Sequence, residues 1–238
     1  MSVLATVSID SARKVLTTVD AGLCSGLGTQ VPGQMCVEAA VCFALGLPHG
    51  DDPPCVGRAV RKFKIRLNDS RWPSNEARAA GMRRLVIAQL GSNEINQGDF
   101  ARLLAEKTIR VVVPIYLRAS AKKNPKRADA LEAAAKRCES EGTRAAAINA
   151  REVAYAAADA AADAAYAAAA YAADAAYADA ADAANAAAYA AAYAYAADAA
   201  DARHEALRAS ARIAEECLRE LKCPGIALLD ELLPEVRP

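Results

Sequence analysis

Aromatic side chains are scarce in this 238-residue chain: they make up 5% of it, with one Trp and three Phe. A ring-rich core is therefore excluded. Apolar burial has to come from aliphatic residues and from alanine, which offers little area at about 25 cal/mol per Å². Histidine occurs only as His49 and His204, leaving few places for a histidine base or ligand. No run of about 18 strongly apolar residues exists, which argues against a transmembrane helix. The opening MSVLATVSIDSARK lacks the basic-then-apolar order of a secretory signal. Net charge is absent too, with 29 Lys plus Arg against 29 Asp plus Glu, so no whole-chain charge points to nucleic acid or membrane. Glycine and proline are missing from all 81 residues between Gly142 and Pro224. These absences bound the architecture without naming a reaction or a ligand.

Cysteine is what the chain does have, seven times: Cys24, Cys36, Cys42, Cys55, Cys138, Cys217 and Cys223. An odd number without a secretion signal implies reduced thiols and a cytoplasmic protein. Most are expected to behave as small buried hydrophobes.

Composition changes sharply near residue 154. Residues 154–202 hold 34 Ala, 7 Tyr, 7 Asp and one Asn. Charge divides at the same place: residues 1–154 carry 23 basic against 15 acidic side chains, and residues 155–238 carry 6 against 14. The zero total is a cancellation between halves.

The first half reads as short helices with punctuation. Ser8 or Asp10 caps a helix to about residue 21. A glycine-rich loop leads to a helix over 34–45, with Val37, Ala40, Val41 and Ala44 on its inner face and a stop at Gly46 and Pro48. Asp52 as N-cap with Pro53 behind it opens the next helix, in which Val56, Ala59, Val60, Phe63 and Leu67 recur at helical spacing. A helix over 74–90 stops at Gly91. Another runs from Asp99 to about Arg118, although the β-branched 109–113 also suits a short strand, and Pro114 must kink or end it. A last helix of this half spans 126–139. The expected fold is all-α: a helical domain over 1–140, an alanine-rich helix or hairpin over 143–222, and a short helix and tail over 225–238. As one rod the middle stretch would measure about 120 Å at about 1.5 Å per residue; Asn185 and 201–204 are the expected places for a fold-back.

Placed at about 100° per residue on one helix, Tyr155, Tyr166, Tyr177 and Tyr195 share a line, and Tyr171, Tyr189 and Tyr193 form a second. The opposite arc is nearly pure alanine. Alanine keeps the helix formed, while the tyrosines supply most of the area for docking. A bundle or self-association helix follows, and with it a homo-oligomer. The tract lacks the regular Thr of ice-binding helices. Residues 155–202 carry no basic side chain, so a membrane-surface helix is set aside.

A basic run offers a second binding candidate: Arg58, Arg61, Lys62, Lys64, Arg66, Arg83 and Arg84, with Arg71 and Arg78 among them. It suits an acidic protein partner, nucleic-acid phosphate, the chain's own Asp/Tyr face, or plain solvation.

Three patterns carry possible chemistry. Cys36 near a helix start, with His49 and Asp51 or Asp52 following, could form a cysteine nucleophile with its base and orienter. Cys36, Cys42, His49 and Cys55 have metal-ligand residue types, but the C-x5-C-x6-H-x5-C spacing lacks the tight knuckle of zinc sites, so no metal is expected. Gly26, Gly28 and Gly33 before a helix look like a phosphate cradle, yet no strand precedes them and no Lys-Ser/Thr follows. No cofactor is expected.

The block CVEAAVCFALGLPHGDDPPCVGRAVRKFKIRLNDSRW (residues 36–72), the Ala/Asp/Tyr tract and the ending LKCPG (221–225) resemble a set of uncharacterised bacterial and phage proteins. The tract alone is similar to the alanine-rich part of putative bacterial immunity proteins. Neither resemblance implies a catalytic residue. The first expectation is a non-enzymatic self-associating scaffold. A phage–host or defence-related binding protein using residues 58–84 and a small site at Cys36/His49 are the alternatives.

Overall fold

The computed structural model describes residues 7–157, 160–175, 182–183, 186–187 and 200–234. Every regular element among them is helical, apart from an isolated bridge between Gly28 and Met35. The chain forms two compact units, residues 1–100 with 214–238, and residues 101–213.

The first unit contains α1 (Ile9–Asp20), α2 (Val37–Ala44), α3 (Arg58–Asp69), α4 (Asn75–Ala88) and α11 (Gly225–Leu232). Helix α1 packs on α2 and α4, α2 on α3 and α4, and α11 on α4 and α1. Ser8 caps α1 by accepting from the Ser11 N–H at 3.2 Å, and Ser74 caps α4 through the Ala77 N–H at 3.1 Å. Val15, Val19, Phe63, Leu67, Met82 and Leu229 are fully buried in this unit. Helix α3 starts five residues later than Asp52 predicts. Its first amides are satisfied from far along the chain: Ser92 Oγ accepts from the Gly57 N–H at 3.0 Å and Gln97 Oε1 from the Ala59 N–H at 3.0 Å. The loop before α2 depends on Gly28, whose φ of +71° suits glycine; a Cβ there would lie 2.0 Å from the Gln34 carbonyl oxygen.

The second unit contains α6 (Val113–Lys123), α7 (Ala128–Glu141), α8 (Arg144–Tyr155) and α9 (Ala160–Ala175), while α5 (Gln97–Lys107) and α10 (Ala200–Glu220) each run through a unit boundary. The β-branched stretch is no strand. Residues 108–112 form a π-turn, with the Val113 N–H bonded back to the Thr108 oxygen. A π-turn shifts the hydrogen-bond register by one residue, so helix continues past Pro114 although proline has no N–H to donate. Gly142 at φ +61° ends α7, and Thr143 caps α8 through the Ala146 N–H at 3.2 Å.

The alanine tract is not one rod. Helix α8 ends at Tyr155, Ala156 and Ala157 form a turn, and α9 packs back against α8 and against α6. No local breaker causes this. Asn124 Nδ2, from the α6–α7 connection, donates to the Ala157 carbonyl at 2.7 Å and so satisfies a group that a continuing helix would use. Residues 201–204, expected as a fold-back, lie inside α10; Asn185 lies outside the described residues. The interior here is largely alanine, with Ala147, Ala150, Ala168 and Ala172 at zero exposure around the buried Tyr116 and Leu117.

Candidate functional site

A buried polar cluster lies in the first unit. Glu38 sits in the first turn of α2, Lys64 on α3, and Gln89 at the C-cap of α4. Glu38 and Lys64 have no exposed surface, and Lys64 Nζ lies 3.4 Å from Glu38 Oε1. Gln89 Nε2 donates to Glu38 Oε2 at 3.2 Å. Apart from the ion pair between Lys64 Nζ and Glu38 Oε1, these two atoms and Gln89 Oε1 meet no hydrogen-bond partner among the described residues. Burial pushes the Glu38 carboxyl up, opposed by Lys64; burial pulls the Lys64 ammonium down, opposed by Glu38. This pair is absent from the sequence-based candidates, where Lys64 counts only as surface charge. The signal was its position: Lys64 lies four residues after Val60 and three before Leu67, inside the buried stripe of α3.

Cys36 is the N-cap of α2, its Sγ accepting from the Ala39 N–H at 3.4 Å. The expected activation does not occur. Desolvation outweighs the helix amides and drives the thiol up to about 11, so at neutral pH it is not a thiolate. His49 is turned elsewhere, its Nε2 lying 3.1 Å from the Gly28 carbonyl. No hydrogen bond joins Cys36 to His49 or Asp51 among the described residues. Cys42, on the same helix, is pushed up to about 12 by burial and by Glu38. No group of three metal-ligand side chains comes together among the described residues. The presumed phosphate cradle is met by a carboxylate: Asp69 Oδ1 accepts from the Gly26 N–H at 2.7 Å.

Four side chains of the basic run are paired with acids of the same chain. Lys64 is buried against Glu38, and Arg61 pairs with Asp52. Arg83 holds Asp20 with two bonds at 2.6 and 2.9 Å. Arg84 holds Glu215 at 2.9 and 2.7 Å and also donates to the Leu233 carbonyl. Arg78 donates inward to the carbonyls of Asn68 and Leu23. Lys62, Arg66 and Arg71 are engaged as well, leaving Arg58 exposed. The acids that neutralise Arg61, Lys64, Arg83 and Arg84 come from outside the Asp/Tyr tract.

Two surface features remain. On the first unit, α1 and the end of α2 border an open groove of about 730 Å³, lined by apolar Phe43, Leu45 and Pro32 together with polar Arg13, Lys14 and Thr17. On the second unit, Tyr155 is 78% and Tyr166 39% exposed, and their ring centroids lie 5.9 Å apart at 50°. The rings meet because α8 and α9 form a hairpin, not because they share a line on one helix. Tyr171 is half-buried and engaged. Tyr177, Tyr189, Tyr193 and Tyr195 lie outside the described residues.

No protein family, curated protein or solved structure matches the chain. No described helix is long and apolar enough to cross a membrane.

Proposed function

We propose that the chain is a non-enzymatic interaction protein that self-associates through its alanine-rich, tyrosine-bearing hairpin. One observation carries this reading: Tyr155 and Tyr166 stand together on the outside of a hairpin whose inner side is alanine. Tyrosine is enriched at interface hot spots because its ring adds much area at low entropic cost. Six of the seven thiols are buried, and Lys64 and Arg78 of the basic run point inward.

Magnitude sets the strength of the contact. With Tyr155 78% and Tyr166 39% exposed, and about 150–250 Å² for a whole aromatic side chain, the two rings of each copy bring roughly 350–600 Å² to a symmetric pair. That falls short of the roughly 1,200 Å² of a standard stable interface, so association belongs in the micromolar range or weaker. The test is tyrosine nitration of the full chain, mapped by peptide mass over a dilution series. Tyr155 reacts readily in dilute solution and becomes protected as concentration rises. A nitration rate at Tyr155 and Tyr166 that is independent of protein concentration overturns the proposal.

A further inference from the structure

We infer that the groove between α1 and the end of α2 binds a small anionic amphiphile, a molecule with an apolar body and a single carboxylate. The floor is apolar where it meets solvent: Phe43 remains 36% exposed at the end of a helix whose residues 37–42 are all buried. Leu45 and Pro32 continue that floor. The groove is open to solvent, and its volume of about 730 Å³ lies within the roughly 300–1,000 Å³ of small-molecule sites.

The polar rim selects the head group. Arg13 is tied to Asp10 at 3.1 Å and lies 3.9 Å from Glu231. Ser11 Oγ is shared with Ser8 Oγ, and the Thr17 hydroxyl donates to the Arg13 carbonyl. Lys14 is the exposed cation of this rim without a partner among the described residues. One uncommitted positive charge beside an apolar floor fits one negative charge on an apolar body. A longer acidic peptide would bring polar groups that these committed side chains do not meet.

Calorimetry of the full chain with octanoate, decanoate and dodecanoate, each kept below its micelle concentration, tests this. Affinity rises with chain length, by roughly 2- to 4-fold per added methylene, the upper figure being full burial. Decyltrimethylammonium, with the same tail and opposite charge, binds more weakly than decanoate. Lys14→Glu weakens decanoate about 5-fold, the scale of an exposed ion pair, and leaves the cationic homologue unweakened. Phe43→Ser weakens every member of the series while Trp72 fluorescence stays native. The inference fails if decanoate shows no binding at about 1 mM, or if Lys14→Glu leaves its affinity unchanged. It also fails if the chain sediments with anionic phospholipid vesicles yet ignores free decanoate, since the site is then a membrane contact. If decanoate does not bind while Phe43→Ser lowers the solution mass, the groove belongs to a second copy, and the inference is again wrong.

Discussion

Removing either partner of the Glu38–Lys64 pair should damage the first unit more than removing both. The two groups face each other at 3.4 Å with no exposed surface, and Gln89 donates to the carboxylate. Glu38→Gln leaves an uncompensated buried ammonium and Lys64→Met an uncompensated buried carboxyl; breaking a buried pair this way costs about 3–5 kcal/mol. The double variant Glu38→Gln/Lys64→Met leaves no charge behind and keeps an acceptor for the Gln89 amide, and should fall within about 1–2 kcal/mol of the wild type, or above it. The pH responses of the singles cross. Burial lowers the Lys64 value, so in Glu38→Gln the unfolded chain binds the extra proton between that lowered value and the ordinary lysine value of about 10.4, and stability rises with pH across that window. Burial raises the Glu38 value, so in Lys64→Met the folded chain holds the extra proton above about 4.3, and stability rises as pH falls towards that value. Urea titration followed by Trp72 fluorescence reads this directly. It is the chain's single tryptophan, buried in the first unit with its N–H on the Leu67 carbonyl at 2.8 Å. Singles that cost under about 1 kcal/mol, or a double equal to their sum, would refute the reasoning.

Three further outcomes follow from the same geometry. Native-state alkylation should reach Cys24 first, the one cysteine that is not buried, while Cys36 labels slowly and accelerates only as pH approaches about 11; rapid labelling of Cys36 at neutral pH contradicts this. Asn124→Ala removes the donor to the Ala157 carbonyl and should cost about 1–2 kcal/mol, read as faster amide exchange in α8 and α9; unchanged exchange there contradicts it. Gly28→Ala forces a Cβ against the Gln34 carbonyl at 2.0 Å, whereas Gly26→Ala meets nothing within 4 Å at nearly the same φ. The first should therefore cost well over the roughly 1–2 kcal/mol of the second, and equal midpoints in urea would count against this picture.

The helices with local start and stop signals were legible in the sequence. Ser8 caps α1 as its residue type and position predict, and the helix expected from residue 74 starts with Ser74 as its cap. What escaped was decided at a distance. Asp52 looks like a cap, but Ser92 and Gln97 supply the start of α3 and Asp52 goes to Arg61. The fold-back at Ala156 and Ala157 has no breaker of its own, because an amide more than thirty residues earlier makes it. Lys64 reads as surface charge in a basic run, and only its place in the apolar stripe betrays its burial. Cys36 lies at a helix start as expected, yet desolvation there outweighs the helix amides, a balance that spacing alone does not reveal.

Self-association is the claim on which the functional reading rests, and the solution mass of the wild-type chain against concentration tests it most directly. Sedimentation equilibrium should give 24.8 kDa in dilute solution and a rising mass average over roughly the 10–100 μM range, with Tyr155→Ser/Tyr166→Ser displaced to higher concentration. A mass that stays at that of one chain throughout would contradict the account.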